Sequence, residues 1–203
     1  MISELFVQSQ EAFERSLSLL NIAFNPKKRI PEQVFRYPFA EFAFAEFDWV
    51  MSADFWKSLK KSHLNIDEEL LLVAVLEPDP CRYFYEVFGY YNFFKLSLNS
   101  SSDDYWAALQ EGPENSPADA MLYNSEVIVW VPESLKWAIW GERSVGVCAI
   151  GFDKLSIIDR EALSREWMPA GVALADVIPA NFRGRKVPQE FAETLSSNYA
   201  PHC

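Results

Sequence analysis

The side chains that could act as bases, nucleophiles or metal ligands in this 203-residue chain offer little for catalysis. Of the two histidines, His202 is the penultimate residue of a tail that should fray, so His63 is the realistic imidazole. His63 follows a predicted helix with solvated lysines, and no nucleophile motif accompanies it. We interpret His63 as a surface or helix-terminal histidine, and a histidine-based zinc site is excluded.

The three cysteines, Cys81, Cys148 and Cys203, have no metal-type spacing, and an odd thiol remains in any disulfide pairing, which favours a reducing cytoplasm. Cys148 lies in an apolar run, where burial should raise the pKa of its thiol. Cys81 is flanked by Pro80 and Arg82, and the nearby cation makes it the better candidate for a thiolate. Since no imidazole can be placed beside Cys81, we expect no catalytic role for it.

Carboxylates are abundant. The hypothesis of an enzyme that uses two of them, or that binds Mg²⁺ through them, is therefore not excluded by the composition. The pairs Asp103 with Asp104, Glu68 with Glu69, and Glu41 with Glu46 have no diagnostic spacing, and we interpret them as solvated or capping groups. The sequence has no G-x-S-x-G, P-loop or G-x-G-x-x-G motif, and its seven glycines are scattered. We therefore expect no nucleotide chemistry, no metal and no cofactor.

The balance of charge restricts the class of partner. Asp and Glu number 29 against 18 Lys and Arg, which gives a formal net charge of −11. This charge argues against nucleic acid and anionic membranes and favours a cationic partner, although the excess acid also simply keeps an aromatic-rich protein in solution. The basic stretches Lys27 to Arg29 and Arg183 to Lys186 are interpreted as a solvated loop and a solvated turn. Contact of Arg183 to Lys186 with nucleic acid or an acidic partner is the alternative.

A tryptophan-rich turn is the best candidate for recognition. Glu142 and Arg143 stand at a predicted turn directly after Trp140, and Trp137 lies three residues before Trp140. Since Trp and Arg are enriched at binding hot spots, we predict that Trp137 or Trp140, with Arg143, forms a recognition patch. Two alternatives stay open: the tryptophans pack in the core, and Glu142 pairs with Arg143 at little energetic gain.

The elements that must position these residues follow from the spacing of apolar residues. A first helix is predicted from Ile2 to an end near Asn21 to Pro26, and others are predicted from Ser52 to about His63, with a start at Ser102, and after Pro188. The continuous apolar run Leu70 to Leu76 predicts a strand in the middle of a sheet, covered on both faces.

Three short apolar runs with brief connections, Val127 to Val131, Lys136 to Trp140 and Val147 to Ile150, predict an antiparallel meander. Strands in the middle of the chain with helices at both ends predict an α+β fold with a mainly antiparallel sheet. Nothing in the chain is typical of a flexible linker, so we expect residues 1–203 to form a single globular domain. The segment 111–117 predicts a surface loop.

Four segments are harder to interpret. A change of phase between Phe44 and Phe47 predicts a bulged strand or two short strands over residues 35–49. The aromatic-rich segment Tyr83 to Leu98 predicts two strands connected by a turn near Gly89 to Asn92. A helix in this segment is the alternative. Trp167 to Pro179 looks irregular, and Ser156 to Ser164 predicts a helical turn.

The N-terminus has no basic segment followed by an apolar one, and no window approaches a membrane span. We therefore expect a soluble, cytoplasmic protein that is not exported.

The segment EVIVWVPESLKWAIWGERSVGVCAIGF, residues 126–152, resembles a cassette of small bacterial proteins of the type of polymorphic-toxin immunity proteins. It comprises an apolar strand, a polar turn, a W-x-I-W-G-E-R strand and a second apolar strand. The resemblance covers about an eighth of the chain. It implies a protein that binds and neutralises a toxin, and a charge of −11 would suit a basic toxin such as a nuclease. It brings no set of functional residues.

From these observations we expect a non-enzymatic protein that binds a protein partner, with Trp137, Trp140, Glu142 and Arg143 as the candidate binding residues. Two alternatives are a hydrolase with a carboxylate site and a binder of a small ligand in a pocket lined by aromatic residues. Acidic side chains that converge in an apolar cleft would indicate the hydrolase, and an enclosed pocket would indicate the binder of a small ligand.

Overall fold

The computed structural model describes residues 3–62, 70–153 and 166–199. Within them the predicted α+β architecture is confirmed, with helices packed on an antiparallel sheet. In chain order the elements are α1 (Gln10–Ala23), β1 (Glu41–Glu46), α2 (Phe47–Val50), α3 (Ala53–Lys61), β2 (Leu70–Glu77), a π-helix (Pro80–Tyr85), α4 (Glu86–Phe88), β3 (Phe93–Ser97), α5 (Ser102–Gln110), β4 (Val127–Pro132), β5 (Trp137–Glu142), β6 (Val147–Phe152), α6 (Ala170–Asp176) and α7 (Gln189–Tyr199).

The six strands lie in the order β1-β6-β5-β4-β2-β3, and all neighbours are antiparallel. The predicted meander is confirmed as β4, β5 and β6, since short connections join antiparallel neighbours. The strand predicted at Leu70 to Leu76 is confirmed as β2, an inner strand between β4 and β3, and its central residues are buried. Every residue of the meander strands is buried, because both faces of the sheet are covered.

Each face of the sheet carries its own hydrophobic core. On the first face, alternate strand residues such as Trp130 and Trp137 pack against α2, α3, α5 and the π-helix. On the second face, the intervening residues such as Val129 and Trp140 pack against α1, α6, α7 and the irregular segment 24–39. The result is three layers with the sheet in the centre.

Three helices begin where the sequence supplies a capping hydroxyl. The side chains of Ser9 and Ser52 accept hydrogen bonds from backbone N–H groups in the first turns of α1 and α3. The cap of α5 is Ser101, one residue before the predicted Ser102, and Asp104 completes a reciprocal capping box with it. The helices predicted after Ser52 and after Pro188 are confirmed as α3 and α7.

Both edges of the sheet are partly covered by short extended segments. Residues 5–7 run beside β3, where the Val7 N–H donates to the Phe93 carbonyl at 2.8 Å and the Tyr91 N–H to the Val7 carbonyl at 3.0 Å. At the opposite edge Phe44 of β1 and Met168 exchange two backbone hydrogen bonds, of 2.8 and 2.7 Å.

Four sequence-based predictions of elements are wrong, including the one for residues 83–98. The first helix begins at Gln10 rather than Ile2, because residues 5–7 pair with β3 instead. The phase change after Phe44 is not a bulge: β1 ends at Glu46 and α2 begins at Phe47. Residues 170–176, expected to be irregular, form helix α6.

The segment Tyr83 to Leu98 holds one strand, β3, rather than two. Its first part is helical, because Asp79 caps the Cys81 and Arg82 N–H groups and Pro80 occupies the first helical position. The predicted loop 111–117 leads into a short 3₁₀ turn that begins at its last residue and spans Pro117–Asp119. The helical turn predicted at 156–164 and His63 lie outside the described residues.

Candidate functional site

The two predicted tryptophans do not form a surface. Trp137 and Trp140 are both 0% exposed. They belong to β5, and side chains three residues apart on a strand point to opposite faces, so Trp137 packs in the core of the first face and Trp140 in that of the second. The recognition patch predicted from these tryptophans with Arg143 is therefore corrected to two separate core positions. Core packing, the alternative left open, is what the structure shows.

Glu142 and Arg143 also diverge instead of pairing with each other. Glu142, the last residue of β5, is only 5% exposed, and its Oε2 accepts hydrogen bonds from the Ile30 N–H at 3.0 Å and the Trp140 indole N–H at 3.3 Å. Burial raises the pKa of Glu142, and these bonds together with the charge of Arg29 offset only part of that effect. The carboxylate therefore anchors the segment around Ile30 to the second face of the sheet.

Arg29 completes this anchor from the loop predicted to be solvated. Its guanidinium lies over the Trp140 ring at 5.8 Å from the centroid and binds Glu77 Oε2 at 2.6 Å. Val127 of β4 is paired with Glu77 of β2 on one side and with Glu142 of β5 on the other. Arg29 thus binds the exposed Glu77 directly and acts on the buried Glu142 through its charge.

Arg143 is held on the other side of the sheet. It donates from Nε to the Ser125 carbonyl at 2.8 Å and from Nη2 to the Leu122 carbonyl at 2.8 Å. Its guanidinium also lies 4.6 Å from the centroid of the Phe47 ring. Partial burial lowers its pKa, while Asp48 and Glu126 act in the opposite direction. Arg143 therefore fixes the loop 122–125 to the end of the sheet.

A cleft that encloses about 410 Å³ opens beside Arg143. Three exposed acids line it: Glu46 at the end of β1, Asp48 in α2 and Asp176 at the end of α6. We call the cleft with these three acids the acidic groove. Among the described residues that line it, Arg143 is the one cation, and its guanidinium is already engaged by two carbonyls and a ring. The other lining residues are Phe47, Gly146, Val177, Ala180 and Asn181.

Sequence reasoning named Glu46 only as a solvated or capping group and missed Asp48 and Asp176, although it pointed to Arg143 beside them. Glu46 and Asp48 flank the phase change at Phe47, and the sequence pattern at that point indicates a bulge instead. Asp176 lies in the segment expected to be irregular. No local pattern brings residues so distant in the chain together.

A second acidic group, Asp119, has an organising role beneath an exposed loop. Its carboxylate accepts hydrogen bonds from the Tyr83 hydroxyl at 2.7 Å, the Ser116 hydroxyl at 2.5 Å and the Asn124 amide at 2.6 Å. Burial acts to raise the pKa of Asp119, but the three hydrogen bonds outweigh it and lower the pKa. This carboxylate stays charged and fastens residues 116–124 to the π-helix.

The two members of each described acid pair considered from the sequence do not share a cleft, although Glu46 by itself lines the acidic groove. Asp103 and Asp104 lie in the first turn of α5, where Asp104 is a capping residue, and Glu41 and Glu46 lie at opposite ends of β1. Glu68 and Glu69 lie outside the described residues. Within residues 3–62, 70–153 and 166–199, no group of three or more His, Cys, Asp and Glu side chains is placed to hold a metal ion.

The two described cysteines have different settings. Cys148 is completely buried, and burial raises the pKa of its thiol, as predicted. Cys81 is exposed, but the prediction of a cation-favoured thiolate is wrong. Burial of part of the side chain and the charges of Asp79 and Glu86 raise the pKa of this thiol. Burial, followed by the neighbouring carboxylates, sets the direction of this pKa shift, and Arg82 does not reverse it.

Comparison with known proteins gives no match for this chain among protein-family models, curated proteins or solved structures. Of the helices in the described part of the chain, none is both long and apolar enough to cross a bilayer.

Proposed function

We propose that this chain is a non-enzymatic binding protein of the immunity type, which captures a basic protein partner at the acidic groove. The observation that carries the proposal is the convergence of Glu46, Asp48 and Asp176 around one cleft next to the turn of the W-x-I-W-G-E-R segment. A basic toxin, for example a nuclease, is the partner that this charge and the sequence resemblance favour.

The electrostatics of the groove support a cationic ligand. Three exposed carboxylates face one arginine whose guanidinium is occupied by the Ser125 and Leu122 carbonyls. The local field is therefore negative, in line with the formal net charge of −11. Charge complementarity of this kind speeds encounter and suppresses wrong partners. A lysine or arginine side chain of the partner would enter the cleft between Asp48 and Asp176.

The hydrolase alternative has one observation in its favour, the buried Glu142 with its raised pKa. General acids at neutral pH commonly have such a setting. However, the Ile30 N–H and the Trp140 indole both donate to this carboxylate, and the side chain is covered. A substrate would have to displace the covering loop, so the arrangement supports a structural role for Glu142.

The test is affinity capture from a native lysate with two charge-matched variants. The groove variant is Glu46→Gln/Asp48→Asn/Asp176→Asn, and the control is Glu11→Gln/Glu133→Gln/Glu190→Gln on exposed acids elsewhere. Each variant removes three negative charges, which changes the formal net charge from −11 to −8. A partner captured by the wild type and the control, but lost by the groove variant and at high salt, supports the proposal. No specific partner, salt-independent capture, or equal loss in both variants contradicts it.

A further inference from the structure

Three aromatic rings form a parallel column at the edge of the second core. Tyr91 stacks on Phe13 of α1 with centroids 3.9 Å apart and 8° between the ring planes. Tyr85, the last residue of the π-helix, stacks on Tyr91 with centroids 4.3 Å apart and 12° between the planes. Phe13 and Tyr91 are 6% and 4% exposed, whereas Tyr85 is 40% exposed. The column is therefore closed at one end and open to solvent at Tyr85.

The backbone holds Tyr85 in place before any partner arrives. Asp79 accepts from the Cys81 and Arg82 N–H groups at the start of the π-helix, at 2.8 and 2.7 Å. Phe84, beside Tyr85, is completely buried in the first core. The Tyr85 carbonyl accepts from the Gly89 N–H at 2.9 Å, and Gly89 has the left-handed φ of 79° that ends the helix. An exposed ring fixed in this way loses little conformational entropy on binding.

The charges around the open ring are mainly negative. Burial raises the pKa of Tyr91, and Tyr85, Cys81 and Glu14 add to the increase. Asp79 and Glu86 act in the same sense on the Cys81 thiol. Arg82 contributes one exposed cation on the same segment. Carboxylates beside an open aromatic face are typical of a site for a planar cation, and they repel phosphate groups.

We propose that Tyr85 is a stacking platform for an arginine side chain of a protein partner, with Glu86, the exposed residue that directly follows Tyr85, as the carboxylate acceptor for the guanidinium. Arginine suits the site better than lysine, because its planar guanidinium stacks on a ring and donates to carboxylates at the same time. This inference rests on the proposed function, because it assumes that the partner is a basic protein. It adds a second contact with that partner, at Tyr85, away from the acidic groove.

The test is an NMR titration with a blocked peptide Gly-Arg-Gly-Arg-Gly, compared with the same peptide carrying citrulline or lysine. The arginine peptide should shift the ring signals of Tyr85 and Tyr91, and citrulline, which lacks the charge, should bind more weakly. Tyr85→Leu should weaken binding of the arginine peptide by about 2- to 5-fold, the range of an exposed cation–π contact. Tyr85→Trp should preserve or strengthen it, which separates loss of the ring from loss of folding.

Tyr123 provides the matched control, because it is 59% exposed, so Tyr123→Leu should leave peptide binding unchanged. Equal binding of the arginine peptide to the wild type and Tyr85→Leu would overturn the inference. So would tighter binding of a single-stranded oligonucleotide than of the arginine peptide at Tyr85, since that result would indicate base stacking.

The outcomes separate this inference from the proposed function. Unchanged peptide binding in Tyr85→Leu, with partner capture lost only in the groove variant, overturns the arginine platform and leaves the groove standing. Weakened peptide binding in Tyr85→Leu, with no partner captured from lysate, supports the platform and contradicts the groove proposal.

Discussion

The indole N–H of Trp130 donates to the hydroxyl of Tyr105 at 3.0 Å, and the same hydroxyl donates to the Val50 carbonyl at 2.9 Å. Both side chains are completely buried. One phenol oxygen therefore joins the centre of β4, helix α5 and the end of helix α2. Tyr105 is also stacked on Trp56, with centroids 4.7 Å apart.

Tyr105→Phe should destabilise the fold by about 1–3 kcal/mol, because it leaves the Trp130 N–H and the Val50 carbonyl buried without this partner. Urea unfolding followed by tryptophan fluorescence measures the change. The exposed Tyr123→Phe is the control and should stay within about 0.5 kcal/mol of the wild type. A similarly small change for Tyr105→Phe would show that the buried hydroxyl contributes nothing.

Glu142→Gln should reduce the pH dependence of stability. Because burial raises the pKa of Glu142 above its ordinary value of 4.5, the folded state holds the proton more tightly than the unfolded state. The wild type should therefore lose stability as pH rises from about 4.5 through the raised pKa, whereas the glutamine variant keeps both hydrogen bonds without the buried charge. Thermal unfolding between about pH 4 and pH 8 measures this, with the exposed Glu190→Gln as the control.

At neutral pH, Glu142→Gln should be as stable as the wild type or more stable. A wild type that instead gains stability as pH rises, and that is more stable than the variant at neutral pH, would show that Arg29 stabilises the charged carboxylate more than burial opposes it.

Gly151→Ala should be destabilising, by about 1–3 kcal/mol. A Cβ at Gly151 would lie 2.4 Å from Cδ2 and 2.8 Å from Cγ of Phe39, so the ring would have to leave its place on β6. A Cβ added at Gly171 in α6 would have no heavy atom of another element within 4 Å, so Gly171→Ala should be neutral or stabilise by up to about 1 kcal/mol. Urea unfolding of both variants measures the difference: equal effects would mean that Phe39 moves without cost.

Cys81 should react as a slow thiol in spite of its exposure. In a Cys203→Ser background, alkylation of the native protein should modify Cys81 and spare Cys148, which is completely buried. The rate should increase with pH to a midpoint above the ordinary thiol value of 9.0. Glu86→Gln should lower that midpoint, because it removes one of the charges that oppose the thiolate. A wild-type midpoint below 9.0 would instead implicate Arg82.

The sheet could be predicted from the sequence where the signal is local. Three apolar runs with brief connections leave few arrangements other than the meander of β4, β5 and β6. The continuous apolar run of β2 likewise requires cover on both faces. The start of α1 could not be predicted in this way. Its apolar spacing continues back to Ile2, and only pairing with the distant strand β3 makes residues 5–7 extended.

Two errors had signals in the sequence. Asp79 followed by Pro80 is a helix start, and that interpretation would have identified the helical segment that carries Tyr85. The spacing of Trp137 and Trp140 on a strand already requires that they face opposite sides. The acidic groove had no such signal, since Asp176 reaches Glu46 and Asp48 only through the packing of α6 against β1.

The covered edges of the sheet determine how another molecule can be recognised. Residues 5–7 and Met168 occupy main-chain hydrogen-bonding positions on β3 and β1 that an added strand would otherwise use. For the protein partner proposed above, we therefore expect recognition through side chains rather than through backbone pairing, which any extended peptide could supply. A few substitutions on exposed positions can then change which partner is accepted while the buried strands stay the same.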